Sequence, residues 1–336
     1  MYSLIALLLS LSAVIQRSPE TWPDPSPHRV QFVTVEPGVR VEVLDWGGSG
    51  RPVVLLAGLG NTAHVFDDFA LKLNKRNHVY GITRRGYGMS THPESGYNGQ
   101  RLADDVLHVI DSLELRSPVL VGHSIAGEEL TAMGAQHSDR IGGLVYLDAL
   151  SDPTTDWTGY NALQQKLPPM LNPPPRPPRG ETNPTFQAWL DWQKSSNGFT
   201  FPEAELHNMY LALPDGRMSF ARTPARIYDS IRAEALKPDY SKIRVPVLAF
   251  IQGSLTVQQR VSEYRLTNDQ DRKTAEQFWS MDMRYMKKFI RDLKNGVPRA
   301  RVIEVSHPNH FVFLSDQAEV LREMAVFLAR LDSAAK

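Results

Sequence analysis

The chain has 336 residues, enough for one large domain with an insertion or for two modest domains. Its 42% hydrophobic and 22% charged residues are ordinary for a folded globular protein. Lys plus Arg and Asp plus Glu number 37 each, which excludes a broad field recruiting nucleic acid or an anionic membrane, and the lack of cysteine excludes disulfides, thiolate catalysis, iron–sulfur clusters and Cys-ligated zinc.

In chain order, the first feature is the apolar run from Tyr2 to Ile15, followed by a polar, Pro-rich stretch from Gln16 to Pro27. The run is short for a membrane span and suits the hydrophobic region of a secretory signal. No Lys or Arg precedes it and no A-x-A site closes it. The expectation is export to a periplasmic or extracellular location, with no stable membrane insertion after processing. The alternative is a hydrophobic helix that packs on, or peripherally anchors, a cytoplasmic protein.

From Val30 to Trp46, two β-rich runs flank the turn Glu36-Pro37-Gly38 and read as an antiparallel hairpin. Short apolar runs then recur at Val53–Leu56, His78–Thr83, Pro118–Gly122, Gly143–Asp148, Pro246–Ile251 and Arg301–Ser306. Runs that are continuous rather than alternating suit parallel strands covered on both faces. Between them lie helical stripes: Leu102, Val106, Val109, Ile110 and Leu113, then Val320, Leu321, Met324, Leu328 and Leu331 behind a capping candidate at Asp316. The alternation predicts an α/β fold with a doubly wound, mostly parallel sheet.

One stretch breaks the rhythm. From Ser151 to about Tyr240 no strong strand is predicted, and Leu167–Pro184 is too proline-dense for a helix or a central strand. Helical patterns with large aromatics surround it, at Phe186 to Trp192, Leu206 to Leu213 and Phe220 to Leu236. The organisation is therefore 1–27 as signal-like segment and linker, 28–150 as the first part of the core, 151–240 as an inserted helical cap with a Pro-rich connector, and 241–336 as the second part of the core.

The chemistry centres on Pro118-Val-Leu-Val-Gly122-His123-Ser124-Ile125-Ala126-Gly127, a buried strand running into a small-residue turn and a helix. A serine at such a turn presents its hydroxyl at the carboxyl end of the strand, with helix amides pointing at developing negative charge. The glycine-rich turn Ala57-Gly58-Leu59-Gly60-Asn61 follows an earlier strand, and its amides can join that of Ile125 in an oxyanion hole. His307 and His310 follow the last strand. As an H-x-x-H pair without a nearby third ligand they make a poor zinc site, so neither a metal nor a cofactor is expected. His123 reads as a packed elbow residue, and Glu128 and Glu129 as acids placed favourably at a helix start.

In the order and spacing of these segments the chain resembles the α/β-hydrolase superfamily, in particular its capped serine hydrolases. Gly58-Leu59 is similar to the oxyanion loop, with Ala57 where many members carry His. Arg85-Gly86-Tyr87-Gly88-Met89-Ser90 is similar to the R-G-x-G-x-S loop, Gly122 to Gly127 to the nucleophile elbow, and Tyr240 to Leu248 to the return from cap to sheet. The resemblance spans about Val30 to Leu331. It implies Ser124 as nucleophile, His310 rather than His307 as base, and Leu59 and Ile125 as oxyanion donors. The family's usual acid position, in Gln252-Gly253-Ser254-Leu255-Thr256-Val257, holds no carboxylate. A subset carries the acid just before the cap, which implies Asp148, with Glu263 or Glu304 as substitutes.

The implied activity is cleavage of a carboxylic ester or related acyl bond of a small, apolar substrate, with the cap aromatics Trp157, Phe186, Trp189 and Trp192 either contacting substrate or forming the cap's own core. Serine at the elbow argues against the aspartate-dependent dehalogenases and epoxide hydrolases. The same triad can serve perhydrolysis, carbon–carbon hydrolysis or lyase chemistry, and a non-catalytic ligand-binding member of the fold is the alternative from another class. The expected partner is a small-molecule ester, not nucleic acid, and the oligomeric state is left open.

Overall fold

The computed structural model describes residues 22–172 and 184–334. The signal-like run Tyr2–Ile15 and the middle of the proline-dense connector lie outside these residues. The chain opens with strands β1 (Arg29–Glu36), β2 (Val39–Asp45) and β3 (Pro52–Leu56), then helix α1 (Asp67–Leu73) and β4 (His78–Thr83). Helix α2 (Gly99–Ser112), β5 (Val119–His123), α3 (Ala126–Gln136) and β6 (Gly143–Leu147) complete the first part of the sheet. Next come α4 (Thr158–Gln164), α5 (Phe186–Asn197), α6 (Glu203–Met209), β7 (Tyr210–Ala212), β8 (Met218–Ala221) and α7 (Ala225–Ala233). The chain closes with β9 (Val247–Ile251), α8 (Val257–Val261), α9 (Asp269–Gly296), β10 (Arg301–Glu304), α10 (Val312–Ser315) and α11 (Gln317–Ala334).

Eight strands form one sheet in the order β1-β2-β4-β3-β5-β6-β9-β10. β1 and β2 pair antiparallel, as the hairpin reading expects, and β2 meets β4 antiparallel; the other contacts are parallel. Alternate side chains divide between two cores. Val54, Leu56, Leu120, Leu144 and Tyr146 join Val106, Val109 and Ile110 of α2 on one face. Val53, Leu55, Val121, Val145 and Leu147 join Val320, Met324 and Leu328 of α11 on the other. Each such fully buried aliphatic chain contributes roughly 1.5–3 kcal/mol, so the two apolar faces, rather than strand propensity, fix the doubly wound architecture.

The sheet places the chemistry at a switch point. From β3 the chain crosses to β4 on one side and later to β5 on the other, so the loops after β3 and β5 leave neighbouring strands at the same sheet edge. The segment between β6 and β9 is mainly helical, but β7 and β8 form a small antiparallel hairpin that the sequence reading does not anticipate. Its turn signal, Leu213-Pro214-Asp215-Gly216, is present, but strands of three and four residues are too short for an alternation to register. Among the described residues no helix is long and apolar enough to cross a membrane.

Candidate active site

Ser124 follows β5 directly and has φ +56°, a left-handed conformation rare for a residue with a side chain. The elbow is held by main-chain bonds from Ser124 N to Leu147 O (3.2 Å) and from Gly127 N to Ser124 O (3.0 Å). The small residues are required by space: a Cβ on Gly127 would lie 1.9 Å from the carbonyl oxygen of Ala149, and one on Gly122 would lie 3.0 Å from Cβ of Ala126. A Cβ on Gly58 would lie 2.6 Å from Nδ1 of His123 and 3.2 Å from Cβ of Ser124. The loop after β3 is thereby pressed against the elbow, and Leu59 and Ile125 pack into one apolar cluster with Tyr87, Tyr97, Ile227, Ile231 and Tyr228.

Asp148 follows β6, also with positive φ (+47°), and is almost fully buried. Its Oδ2 lies 2.6 Å from Nδ1 of His310, and its Oδ1 accepts from the amide of Gln252 at 3.1 Å. The His310 side chain is 45% exposed, so the ring is anchored at Nδ1 and otherwise partly open to solvent. Nε2 of His123 donates to the carbonyl of His310 at 3.0 Å, and the two rings lie 4.6 Å apart. Burial, reinforced by the charge of His310, pulls the His123 pKa down to about 3, so this ring stays neutral. His123 thus ties the loop of His310 to the residue beside Ser124. The packed-elbow reading holds.

The structure separates the competing candidates. His307 bonds through Nδ1 to Asp316 Oδ1 at 2.7 Å, away from Asp148. Asp316 precedes α11 as predicted, but its carboxylate serves His307 and Ser315. Glu304 accepts from the amide of Ser254 (2.7 Å), and Glu263 lies 3.6 Å from Arg260; neither takes the place of Asp148 beside His310.

Two buried polar ties shape the loops, and neither was read from the sequence. Arg84, after β4, bonds through Nε to Glu129 of α3 and through Nη2 to the carbonyl of Ala57 at 2.9 Å. It joins the loop of Leu59 to the elbow helix. Glu205 of α6 accepts from Nδ2 of Asn61 (2.8 Å) and the amide of Thr62 (3.0 Å), so the inserted helices grip the far end of that loop. Burial pushes the Glu205 carboxyl up to about 7 against these bonds.

The three tryptophans have other neighbours. Trp157 packs on Tyr285 (4.8 Å) and Phe289 (6.2 Å) of α9. Trp189 joins the cluster of Phe186, Leu206 and Met218, and Trp192 lies 5.0 Å from Trp189. Phe201 packs on the same cluster as Trp189 and also reaches the chain beside His310. Phe201 and Phe199 lie 5.0 and 6.2 Å from Phe311, the residue after His310, and Tyr228 flanks Leu59 and Ile125. No sequence pattern marks Phe199 and Phe201, which sit in the irregular stretch between α5 and α6.

Comparison with known proteins agrees with this architecture. The model of the alpha/beta hydrolase family matches residues 53–323. A 2-(acetamidomethylene)succinate hydrolase of Mesorhizobium japonicum is 30% identical over 120 residues, which cover 36% of this chain and only 42% of that protein. The AB hydrolase superfamily protein YisY of Bacillus subtilis is 24% identical over 304 residues, 88% of this chain and 98% of that one. The crystal structure of an E-2-(acetamidomethylene)succinate hydrolase superposes with TM-score 0.64 at 18% identity, covering 90% of this chain and 99% of that chain.

Proposed function

The chain belongs to the alpha/beta hydrolase family, and on that premise we propose that it is a serine hydrolase cleaving a carboxylic ester, or a related acyl bond, of a small apolar substrate. Nε2 of His310 removes the proton of Ser124 as its hydroxyl oxygen attacks the acyl carbonyl. The amides of Leu59 and Ile125 hold the oxyanion, and the imidazolium returns the proton to the leaving alcohol. Water, deprotonated by the same imidazole, then attacks the acyl-enzyme, and the imidazolium returns that proton to the departing Ser124 oxygen as the acid is freed. Asp148 takes no proton; it fixes the tautomer with hydrogen on Nδ1 and stabilises the imidazolium.

The observation that carries this reading is the 2.6 Å contact between Asp148 and Nδ1 of His310, whose main chain is tied to the neighbour of a serine at φ +56°. The name of the 2-(acetamidomethylene)succinate hydrolase supports hydrolysis as the reaction class. The apolar residues Leu59, Ile125 and Tyr228 at the elbow, and Phe199 and Phe201 against Phe311, favour an aryl or alkyl group over a charged one.

Covalent labelling with a fluorophosphonate probe tests the assignment. Wild-type protein takes up one equivalent, Ser124→Ala takes up none, and short-chain aryl esters are turned over by the former alone. A wild-type protein that resists the probe, or a Ser124→Ala protein that still reacts, removes Ser124 from the mechanism.

A further inference from the structure

Away from the proposed acyl chemistry, we propose that Asp24, His28 and His64 bind one divalent transition-metal ion, zinc by the character of the ligands, which fastens the segment ahead of β1 to the chain that follows the loop of Leu59. His64 lies in the single helical turn Ala63–Phe66, five residues after Leu59. Asp24 and His28 belong to the segment that leads into β1. Three ligand atoms converge: Oδ2 of Asp24 lies 3.4 Å from Nε2 of His28 and 3.3 Å from Nδ1 of His64, and all three fall within 4.8 Å of one another. Zinc bonds to nitrogen and oxygen of about 2.0–2.1 Å place the corners of a tetrahedron about 3.3 Å apart, the separation found here on two edges.

A network of plain ion pairs would place the same groups together, but it makes a different demand on His64. Its side chain is only 2% exposed, so each ring N–H would need an aligned acceptor. Neither ring nitrogen makes a hydrogen bond, although Nδ1 stands 3.3 Å from Asp24 and Nε2 stands 3.7 Å from Glu42. Nδ1 also stands 3.7 Å from Asp67. An ion on Nδ1 removes the hydrogen, and with it the need for an aligned acceptor, from that nitrogen and leaves Nε2–H facing Glu42 as its outer carboxylate.

The outer partners fit as well. Nδ1 of His28 bonds to Oδ1 of Asp67 at 2.9 Å, which assigns the hydrogen to Nδ1 and leaves the Nε2 lone pair facing Asp24 and His64. Asp67 is itself fixed, accepting from Trp46 Nε1 at 2.8 Å and from Ser26 Oγ at 3.1 Å. With its oxygens taken, Asp67 orients a ligand instead of serving as one, and water supplies the fourth position. Asp24, 25% exposed, gives the ion a path in from solvent. Two imidazoles with carboxylate oxygen select zinc and its neighbours over the hard, all-oxygen cations.

The test uses the full chain, stripped with a chelator and dialysed against zinc chloride, with metal content read by mass spectrometry and the thermal midpoint recorded in parallel. Wild type should bind one zinc per chain and melt at a higher temperature when loaded. Asp24→Ala, at an exposed position that tolerates truncation, and His64→Gln should bind none and lose the thermal response. Asp67→Asn should bind about 10–100-fold more weakly. Cobalt substitution of wild type gives the visible bands of a four-coordinate ion, a reading that needs no variant to fold. A wild-type protein that takes up no zinc and shows no cobalt bands overturns the site, as does uptake that Asp24→Ala leaves unchanged. Fluorophosphonate labelling of Ser124 reports independently on the acyl chemistry.

Discussion

Both oxygens of Asp148 are engaged, Oδ2 with Nδ1 of His310 at 2.6 Å and Oδ1 with the amide of Gln252 at 3.1 Å. The turn in which the family's usual acid would stand thus meets Asp148 through the main-chain amide of Gln252. Asparagine would keep the shape but not the chemistry. With its Oδ1 on the Gln252 amide, its Nδ2 would face His310 as a donor and force the imidazole hydrogen onto Nε2, where the Ser124 proton must go. Asp148→Asn should therefore lower kcat by about 10⁴-fold with the far-ultraviolet circular dichroism unchanged. Turnover within a few-fold of wild type would show that Asp148 does not orient the base. At this scale the sequence singles out Ser124 by a strand that runs into a small-residue turn and Asp148 and His310 only through the family resemblance; that the latter two meet is visible in the structure alone. Phe199, Phe201 and Tyr228 are not legible in it, since an aromatic in an irregular segment or on a helix gives no sign of which wall it faces.

Helix α3 shows two effects in competition at one element. Glu128 and Glu129 occupy its first turn, where the helix dipole favours negative charge by about 0.3–1 kcal/mol. Burial wins: desolvation, with the adjacent Glu129 adding to it and Arg84 opposing, pushes the Glu128 carboxyl up to about 7. Glu129 has Arg84 as a direct partner; Glu128 has only the more distant part of that charge. A carboxyl whose folded value lies above its ordinary 4.5 binds more protons folded than unfolded. Its contribution is complete below the ordinary value and is lost as pH rises towards the folded one. The thermal midpoint of wild type should therefore fall relative to Glu128→Gln across pH 4.5 to 7 and run parallel to it above. A pH series of melting curves checks this, and a gap between the two proteins that stays constant from pH 4 to 8 would contradict it. The sequence shows the acids and the helix start; it does not show that α2 packs over them, with a Cβ on Gly99 lying 3.4 Å from Cβ of Glu128.

At the scale of the molecule, the sheet is readable because every central strand is apolar on two faces, and the two-sided core leaves such strands one arrangement. The covering helices obey weaker rules. The 28-residue α9 is absent from the sequence reading although Phe278, Tyr285, Met286, Phe289 and Leu293 recur at helical spacing, because the many charged residues between them keep the segment polar on average. Trp157 and Tyr160, from the segment between β6 and β9, pack against it. This arrangement divides the aromatic residues by role in a way that a single pair of variants can separate. Trp157→Ala removes a ring wedged between α9 and the chain ahead of α4. It should cost about 2–3 kcal/mol of stability, somewhat less than a fully buried tryptophan, and leave KM for aryl esters unchanged. Phe201→Ala removes a ring beside Phe311 and should raise KM about 10-fold with a smaller loss of stability. Denaturant titration and steady-state kinetics on both proteins measure the two axes together. If Trp157→Ala moves KM while Phe201→Ala moves stability alone, the substrate lies against α9, and Phe199, Phe201 and Tyr228 belong to the core instead.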